Sequence, residues 1–199
     1  MDGSATPRLE DRLLERLREL LGEDGVVVDP DLLIPYRNDE FPADPGTPLS
    51  ALRPDDRAGL IAALELLDEA GLPFVPRGAG SGLAGAAVPD EAVVVSTERM
   101  DRILEIDPGE RRAVVEPGVI NSELNDAAGR HGLRYLPDPA SRDFSSVGGN
   151  VATGAGGPHC LRHGVTADHL RGIEVVLADG QPVELGRGAD GGLDLAGLF

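Results

Sequence analysis

The sequence predicts an α+β chain, in which a small parallel βαβ half is followed by a half of short, mostly antiparallel strands. Residues 92–96 (AVVVS) form a continuous apolar run, the signature of a strand buried on both faces of a parallel sheet. Leu60, Ile61, Leu64 and Leu67 recur at helical spacing between that run and an earlier apolar strand. Residues 173–186 (IEVVLADGQPVELG) read as two strands joined by a tight hairpin at Ala178-Asp179-Gly180-Gln181.

The elements follow in order. Thr6-Pro7 offers an N-cap followed by a proline at the first helical position. Leu9, Leu13, Leu17, Leu20 and Leu21 continue at helical spacing, and Gly22 stands where a terminating glycine belongs. Residues 26–48 carry five prolines and read as a connecting arm with an apolar cluster at Leu32-Leu33-Ile34. Leu49 to Leu52 is a short strand, and Asp55-Asp56 can cap the helix that Gly71 ends. Pro73 to Pro76 is the next strand, and Ala92 to Ser96 the third. In the second half, residues 103–107 (ILEID) and 113–118 (AVVEPG) are strands, and Ser122 to His131 is a helix ended by Gly132.

Composition excludes several classes of function. The 199 residues hold 18 basic against 35 acidic side chains, a net charge of −17, which repels nucleic-acid backbones and anionic lipid. Every basic residue other than histidine is Arg, which removes Schiff-base and P-loop lysine chemistry. One cysteine allows neither an internal disulfide nor a CxxC zinc site. The N-terminus has no signal-peptide pattern and no apolar run approaches membrane-spanning length, so a cytoplasmic protein without a transmembrane segment is expected. The chain stops on Leu198-Phe199 just after a glycine-rich turn, where a further core element is expected, which points to a truncated chain.

Two glycine-rich segments carry the candidate chemistry. The first, residues 76–85 (PRGAGSGLAG), contains a literal GxGxxG after a strand. A dinucleotide fingerprint also needs a helix opening at these glycines, and too few residues intervene before Pro89. The segment is instead a loop between two buried strands, whose N–H groups can converge on an anion such as a pyrophosphate, with Arg77 as a local positive charge. The alternative is a flexible connection. The second, residues 137–157 (PDPASRDFSSVGGNVATGAGG), alternates glycines with small residues, while Val147 and Val151 anchor it in a core. A flat ligand could lie on that backbone, with Ser145, Ser146, Asn150 and Thr153 bonding its polar edge. The alternative is a loop packed on a neighbouring element. His159-Cys160-Leu161-Arg162-His163 has too few ligands for zinc, with only His169 near. No G-x-S-x-G elbow occurs.

Four stretches carry a family resemblance: PRGAGSGLAGAAVP (76–89), VEPGVINSELNDAAGRHGLRYLPDPAS (115–141), SSVGGNVATGAGGPHCLRHGVT (145–166) and IEVVLADG (173–180). In order and spacing they resemble the FAD-linked oxidases of the vanillyl-alcohol-oxidase superfamily, in the branch of the glycolate oxidase FAD subunit and D-lactate dehydrogenase. The resemblance runs from about Leu49 to Phe199. It implies an FAD-binding PCMH-type fold, a small parallel βαβ subdomain packed on a larger mixed β subdomain with FAD between them. Residues 1–48 would be an N-terminal helix and arm, and 49–199 an FAD-binding domain without its C-terminal part or cap domain.

Carried over by motif, Pro76, Arg77, Gly78, Ala79, Gly80, Ser81, Gly82 and Leu83 would bind the FAD pyrophosphate through backbone N–H groups. Pro139, Ala140, Ser141, Ser145, Ser146, Gly148, Gly149, Asn150, Ala152, Thr153, Gly156 and Gly157 would lie along the ribityl chain and flavin ring. The family commonly has Asn where Gly154 stands, so a polar contact is absent there. Members with covalent flavin place His where Ser81 stands, so attachment at that loop is expected to be non-covalent. The activity implied is FAD-dependent oxidation of a 2-hydroxy acid, glycolate or D-lactate in type, with electrons passed to an iron–sulfur subunit or a quinone. The catalytic base would lie beyond Phe199. The alternatives are another oxidoreductase on the same scaffold, such as a reductase of an enolpyruvyl sugar nucleotide, or a non-catalytic FAD-binding subunit of an electron-transfer complex.

Overall fold

The computed structural model describes residues 9–40 and 44–186, which form two compact units. The first comprises residues up to Arg99 together with Ala178–Gly180, and the second holds the rest.

The first unit is built on a four-stranded sheet. Strands β1 (Val26–Val27), β2 (Thr47–Leu52), β3 (Phe74–Arg77) and β4 (Asp90–Ser96) take the order β1-β2-β4-β3. Central β4 runs parallel to both β2 and β3, pairing Ala51 with Val94 and Val75 with Val94. Val93 and Val94 are fully buried, as the unbroken apolar run requires. Helix α1 (Asp11–Leu21) buries Leu13 and Leu17, and α2 (Arg57–Glu69) buries Ala63, Leu64 and Leu67. Leu17, Leu52, Leu67 and Val93 have no exposure, and each large side chain buried in this way contributes roughly 1.5–3 kcal/mol. Asp56 caps α2, accepting the Gly59 N–H at 2.8 Å. Leu60 and Ile61, expected on the buried face, are half-buried at its margin. The Thr6-Pro7 cap lies outside the described residues.

The segment expected to be only a connecting arm contributes to this core. Val26 and Val27 pair antiparallel with Leu52 and Ala51, adding an edge strand to the sheet. Leu33 and Tyr36 pack with Val27, Ala51 and Val94, and a one-turn 3₁₀ helix at Ile34–Tyr36 presents the tyrosine. In the apolar cluster only Leu33 is buried, while Leu32 and Ile34 are exposed.

In the second unit, β5 (Ile103–Asp107) and β6 (Arg112–Val115) form one antiparallel pair, and β7 (Gly172–Val176) and β8 (Pro182–Gly186) another. The expected hairpin is present, with the Leu177 N–H donating to Gln181 at 2.9 Å and Gly180 at φ +83°. Helix α3 spans Asn121–Gly129, and Gly132 takes φ +69° beyond it. Val119, Leu124 and Val147 form the core here, with Ile103, Val115, Tyr135 and Val151 against them. A short helix, α4 (Val147–Ala152), forms within the second glycine segment, and another, α5 (Cys160–His163), follows it. Leu198-Phe199 lies outside the described residues.

Candidate functional site

The first glycine segment leaves the carboxyl end of parallel strand β3, the end at which ligands of parallel sheets are bound. Pro76 and Arg77 close the strand, and the Arg77 carbonyl accepts the Thr97 N–H at 2.9 Å. Residues 78–89 are bends and turns with no helix, as the short spacing to Pro89 requires. Gly80 (φ +71°) and Gly85 (φ +74°) take left-handed conformations that other residues rarely adopt. Among the described residues, none accepts a hydrogen bond from the N–H of Gly80, Ser81, Gly82 or Leu83. Successive free N–H groups at a loop of this kind suit an anion. Leu83 is exposed.

The Arg77 guanidinium lies against Gly80 of the loop, but its hydrogen bonds go to another segment. It donates to the carbonyls of Asn38 (2.8 Å) and Pro35 (3.0 Å) and stands 5.9 Å from the centre of the Tyr36 ring. Burial holds its pKa below the ordinary arginine value, opposed by Tyr36, Asp39 and Glu98. The local charge expected of it is therefore directed to the 34–40 segment. That segment is fixed again where the Glu40 N–H donates to the Gly82 carbonyl at 3.0 Å. Tyr36 donates its hydroxyl to Glu98 at 2.8 Å, and burial, followed by that bond, pushes its pKa up to about 12. None of these partners is suggested by sequence spacing, since Pro35 and Asn38 lie 42 and 39 residues from Arg77.

In the second segment, Pro139, Ala140 and Ser141 form a turn in which Arg142 donates to Pro139 (2.9 Å) and Ser145 to Ser141 (2.7 Å). Ser146 caps α4 by accepting the Gly149 N–H. Thr153 turns its hydroxyl back to the Gly149 carbonyl at 2.9 Å, and Ala152 is exposed on the last turn of α4. The glycines divide into two groups. A Cβ on Gly148 would lie 2.6 Å from Pro117, one on Gly157 would overlap Asp138, and one on Gly156 would lie 3.3 Å from Val165. Gly149 meets only the Ser146 hydroxyl, and Gly154 meets nothing within 4 Å. The open backbone is thus narrower than the glycine count implies. The Ser145 hydroxyl and the Asn150 amide nitrogen are buried with no partner among the described residues. Such unmet capacity in a core is costly, and it fits a polar ligand edge at this segment.

Asp138, which sequence reasoning did not single out, pairs with Nδ1 of His159. The hydrogen bond to His159 holds the Asp138 carboxyl below its ordinary value. Among the described residues no three His, Cys, Asp or Glu side chains converge as metal ligands, and Cys160 is an exposed free thiol.

Known proteins are similar to this chain. The glycolate oxidase subunit GlcD of Escherichia coli (strain K12) is 38% identical over 202 residues, covering 100% of this chain and 40% of that protein. The D-lactate dehydrogenase of Archaeoglobus fulgidus is 38% identical over 161 residues, covering 76% of this chain and 35% of that one. The chain thus spans about 40% or less of the length of these relatives. Among solved structures, an alkyldihydroxyacetonephosphate synthase superposes with a TM-score of 0.87 at 22% identity over 96% of this chain and 37% of its own, which is a likeness of fold. A family profile described as an FAD binding domain matches residues 48–186, from the parallel sheet through both glycine segments to β8. The chain belongs to that family of FAD-binding domains.

Proposed function

We propose that this chain is the FAD-binding part of a flavin-dependent oxidoreductase that oxidises a 2-hydroxy acid of the glycolate or D-lactate type. What carries the reading is the run of N–H groups at 80–83 that no described residue accepts from, in a family member whose relatives are named for glycolate and D-lactate. Bound FAD would supply the two-electron acceptor for the substrate's α-hydrogen.

The chain's own residues would bind and orient. Within Pro76 to Leu83, the backbone N–H groups of Gly80, Ser81, Gly82 and Leu83 would hold the pyrophosphate, a fixed array that needs no reorganisation. Pro139, Ala140 and Ser141 would lie along the ribityl chain and flavin ring, with Ser145, Ser146, Gly148, Gly149, Asn150, Ala152, Thr153, Gly156 and Gly157. Within that set, Gly149 is the glycine with most backbone open to a ligand, whereas Gly148, Gly156 and Gly157 act by letting the segment pack tightly. Attachment is non-covalent, because Ser81 is no nucleophile toward a flavin methyl group. The name of the Escherichia coli relative, a subunit, supports an electron acceptor on a partner chain, an iron–sulfur subunit or else a quinone. A cytoplasmic location belongs to the same reading. No described helix is long and apolar enough to cross a membrane.

The test uses the full-length protein. The flavin is extracted and FAD separated from FMN by chromatography, and turnover with a dye acceptor is measured on a panel of 2-hydroxy acids. FAD with turnover of one or more of these acids is expected. Recovery of FMN alone, or a loaded protein inert toward every acid in the panel, sinks the reading.

A further inference from the structure

We propose that Arg77 is a positioning residue, which ties the 34–40 segment to the glycine loop and so fixes the loop's donors, rather than a cation that meets the ligand. The inference rests on the proposed diphosphate site, and it concerns how this chain builds that site.

The guanidinium fork reaches two carbonyls three residues apart, Pro35 and Asn38, with the Tyr36 ring against it between them. Tyr36 is held from the other side by Glu98, which also accepts from Arg53 (3.3 Å) and from the Ser96 hydroxyl (3.1 Å). The segment is therefore clamped to the ends of β3 and β4 from both sides. The segment's own Arg37, Asp39 and Glu40 gather here with Arg53, Arg77 and Glu98, three arginines against three carboxylates, leaving no net positive charge for a phosphate. A Cβ on Gly80 would overlap the guanidinium, so the loop passes directly over it at its left-handed residue.

The clamp reaches the donors through one peptide group. The Gly82 carbonyl points at the 34–40 segment, where Glu40 donates to it at 3.0 Å. A trans peptide is planar with its C=O and N–H opposed, so the Leu83 N–H faces away from the segment. Were the segment to leave, this peptide could rotate and turn a carbonyl toward the anion. Arg77 thus acts on the ligand through Asn38, Glu40 and Gly82.

The experiment compares Arg77→Lys, Arg77→Gln and Tyr36→Phe with wild type in the full-length protein. FAD affinity of the flavin-stripped protein is read by fluorescence quenching, and the segment's release by the rate of tryptic cleavage after Arg37. Lysine keeps the charge but cannot fork to both carbonyls. Both Arg77 variants should lose roughly tenfold or more in FAD affinity and gain a similar factor in Arg37 cleavage without FAD. Tyr36→Phe, which leaves Arg77 in place, should quicken the cleavage by a smaller factor. Wild-type affinity in Arg77→Lys alongside a loss in Arg77→Gln would overturn the proposal in favour of direct charge contact. Unchanged Arg37 cleavage in both Arg77 variants would overturn it as well. A wild-type protein that binds no FAD defeats the proposed function instead, while the cleavage rates still report on the clamp.

Discussion

Gly148 packs directly on Pro117: its N–H donates to the Pro117 carbonyl at 2.8 Å, and a Cβ at position 148 would lie 2.6 Å from the proline ring. The glycine here serves protein packing. Gly148→Ala should therefore destabilise the protein by about 1–3 kcal/mol, the cost of overpacking a site that cannot yield. Urea unfolding of the full-length protein measures it, and an alanine variant as stable as wild type contradicts the packing account.

The two glycines at the tip of the first loop should separate in the same assay. Gly80 has φ +71° and lies against the Arg77 guanidinium, whereas Gly82 has no positive φ and only Asp39 near, at 3.7 Å. Gly80→Ala combines backbone strain with a steric overlap, and should cost about 1–3 kcal/mol. Gly82→Ala should stay within about 0.5 kcal/mol of wild type. Equal costs at the two positions would mean that the loop is not held as described.

These differences mark where the sequence was legible. The parallel sheet could be read because Val93, Val94 and Val95 form an unbroken buried run, and α2 because its leucines keep helical spacing behind an Asp56 cap. Val26-Val27 could not, since a two-residue strand has no period and its pairing with Ala51 and Leu52 is a tertiary contact. Helix α4 was hidden because Gly148, Gly149 and Asn150 disfavour helix, and the turn is held by the Ser146 cap and the buried Val147. For the site, the glycine spacing marked both segments, but nothing in it distinguishes Gly148, packed on Pro117, from the open Gly154. The direction of Arg77 was equally hidden, because its partners come from a segment that reads as a linker.

Alkali should release the Tyr36 contact. The folded pKa of about 12 stands above the ordinary 10, so the neutral phenol is the form that folding favours. Its contribution is complete below pH 10 and is lost as pH rises from there through about 12. A shift of that size corresponds to roughly 2–3 kcal/mol. Thermal unfolding between pH 9 and 12 should show a steeper fall for wild type than for Tyr36→Phe, and parallel curves would refute the assignment.

The Asp138–His159 pair should act at the acidic end. Asp138 is held below its ordinary 3.8, first by the hydrogen bond to His159, so the stability it lends is present above that value and lost as pH falls through the lowered one. His159→Ala should raise the Asp138 pKa and move the start of acid unfolding to higher pH. NMR titration of the Asp138 carboxyl reads the first effect directly, and an unmoved pKa would show that His159 is not the cause.

Gly154 offers a change that should improve the site. It has φ +57°, and a Cβ there would meet nothing within 4 Å, so a side chain finds space but must accept a left-handed backbone. Asn tolerates that conformation far better than a β-branched residue does, because its short polar side chain bonds locally. Gly154→Asn should therefore stay within about 0.5 kcal/mol of wild type, whereas Gly154→Val should lose about 1–2 kcal/mol from strain alone. The amide would then stand two residues past the end of α4 and five past Gly149, adding a side-chain donor beyond Asn150 and Thr153 on the proposed flavin platform. FAD affinity of the full-length protein should rise several-fold in the Asn variant and fall or stay level in the Val variant. An Asn variant that is stable yet binds FAD no better than wild type would place Gly154 outside the cofactor's reach and confine the platform to residues 139–153.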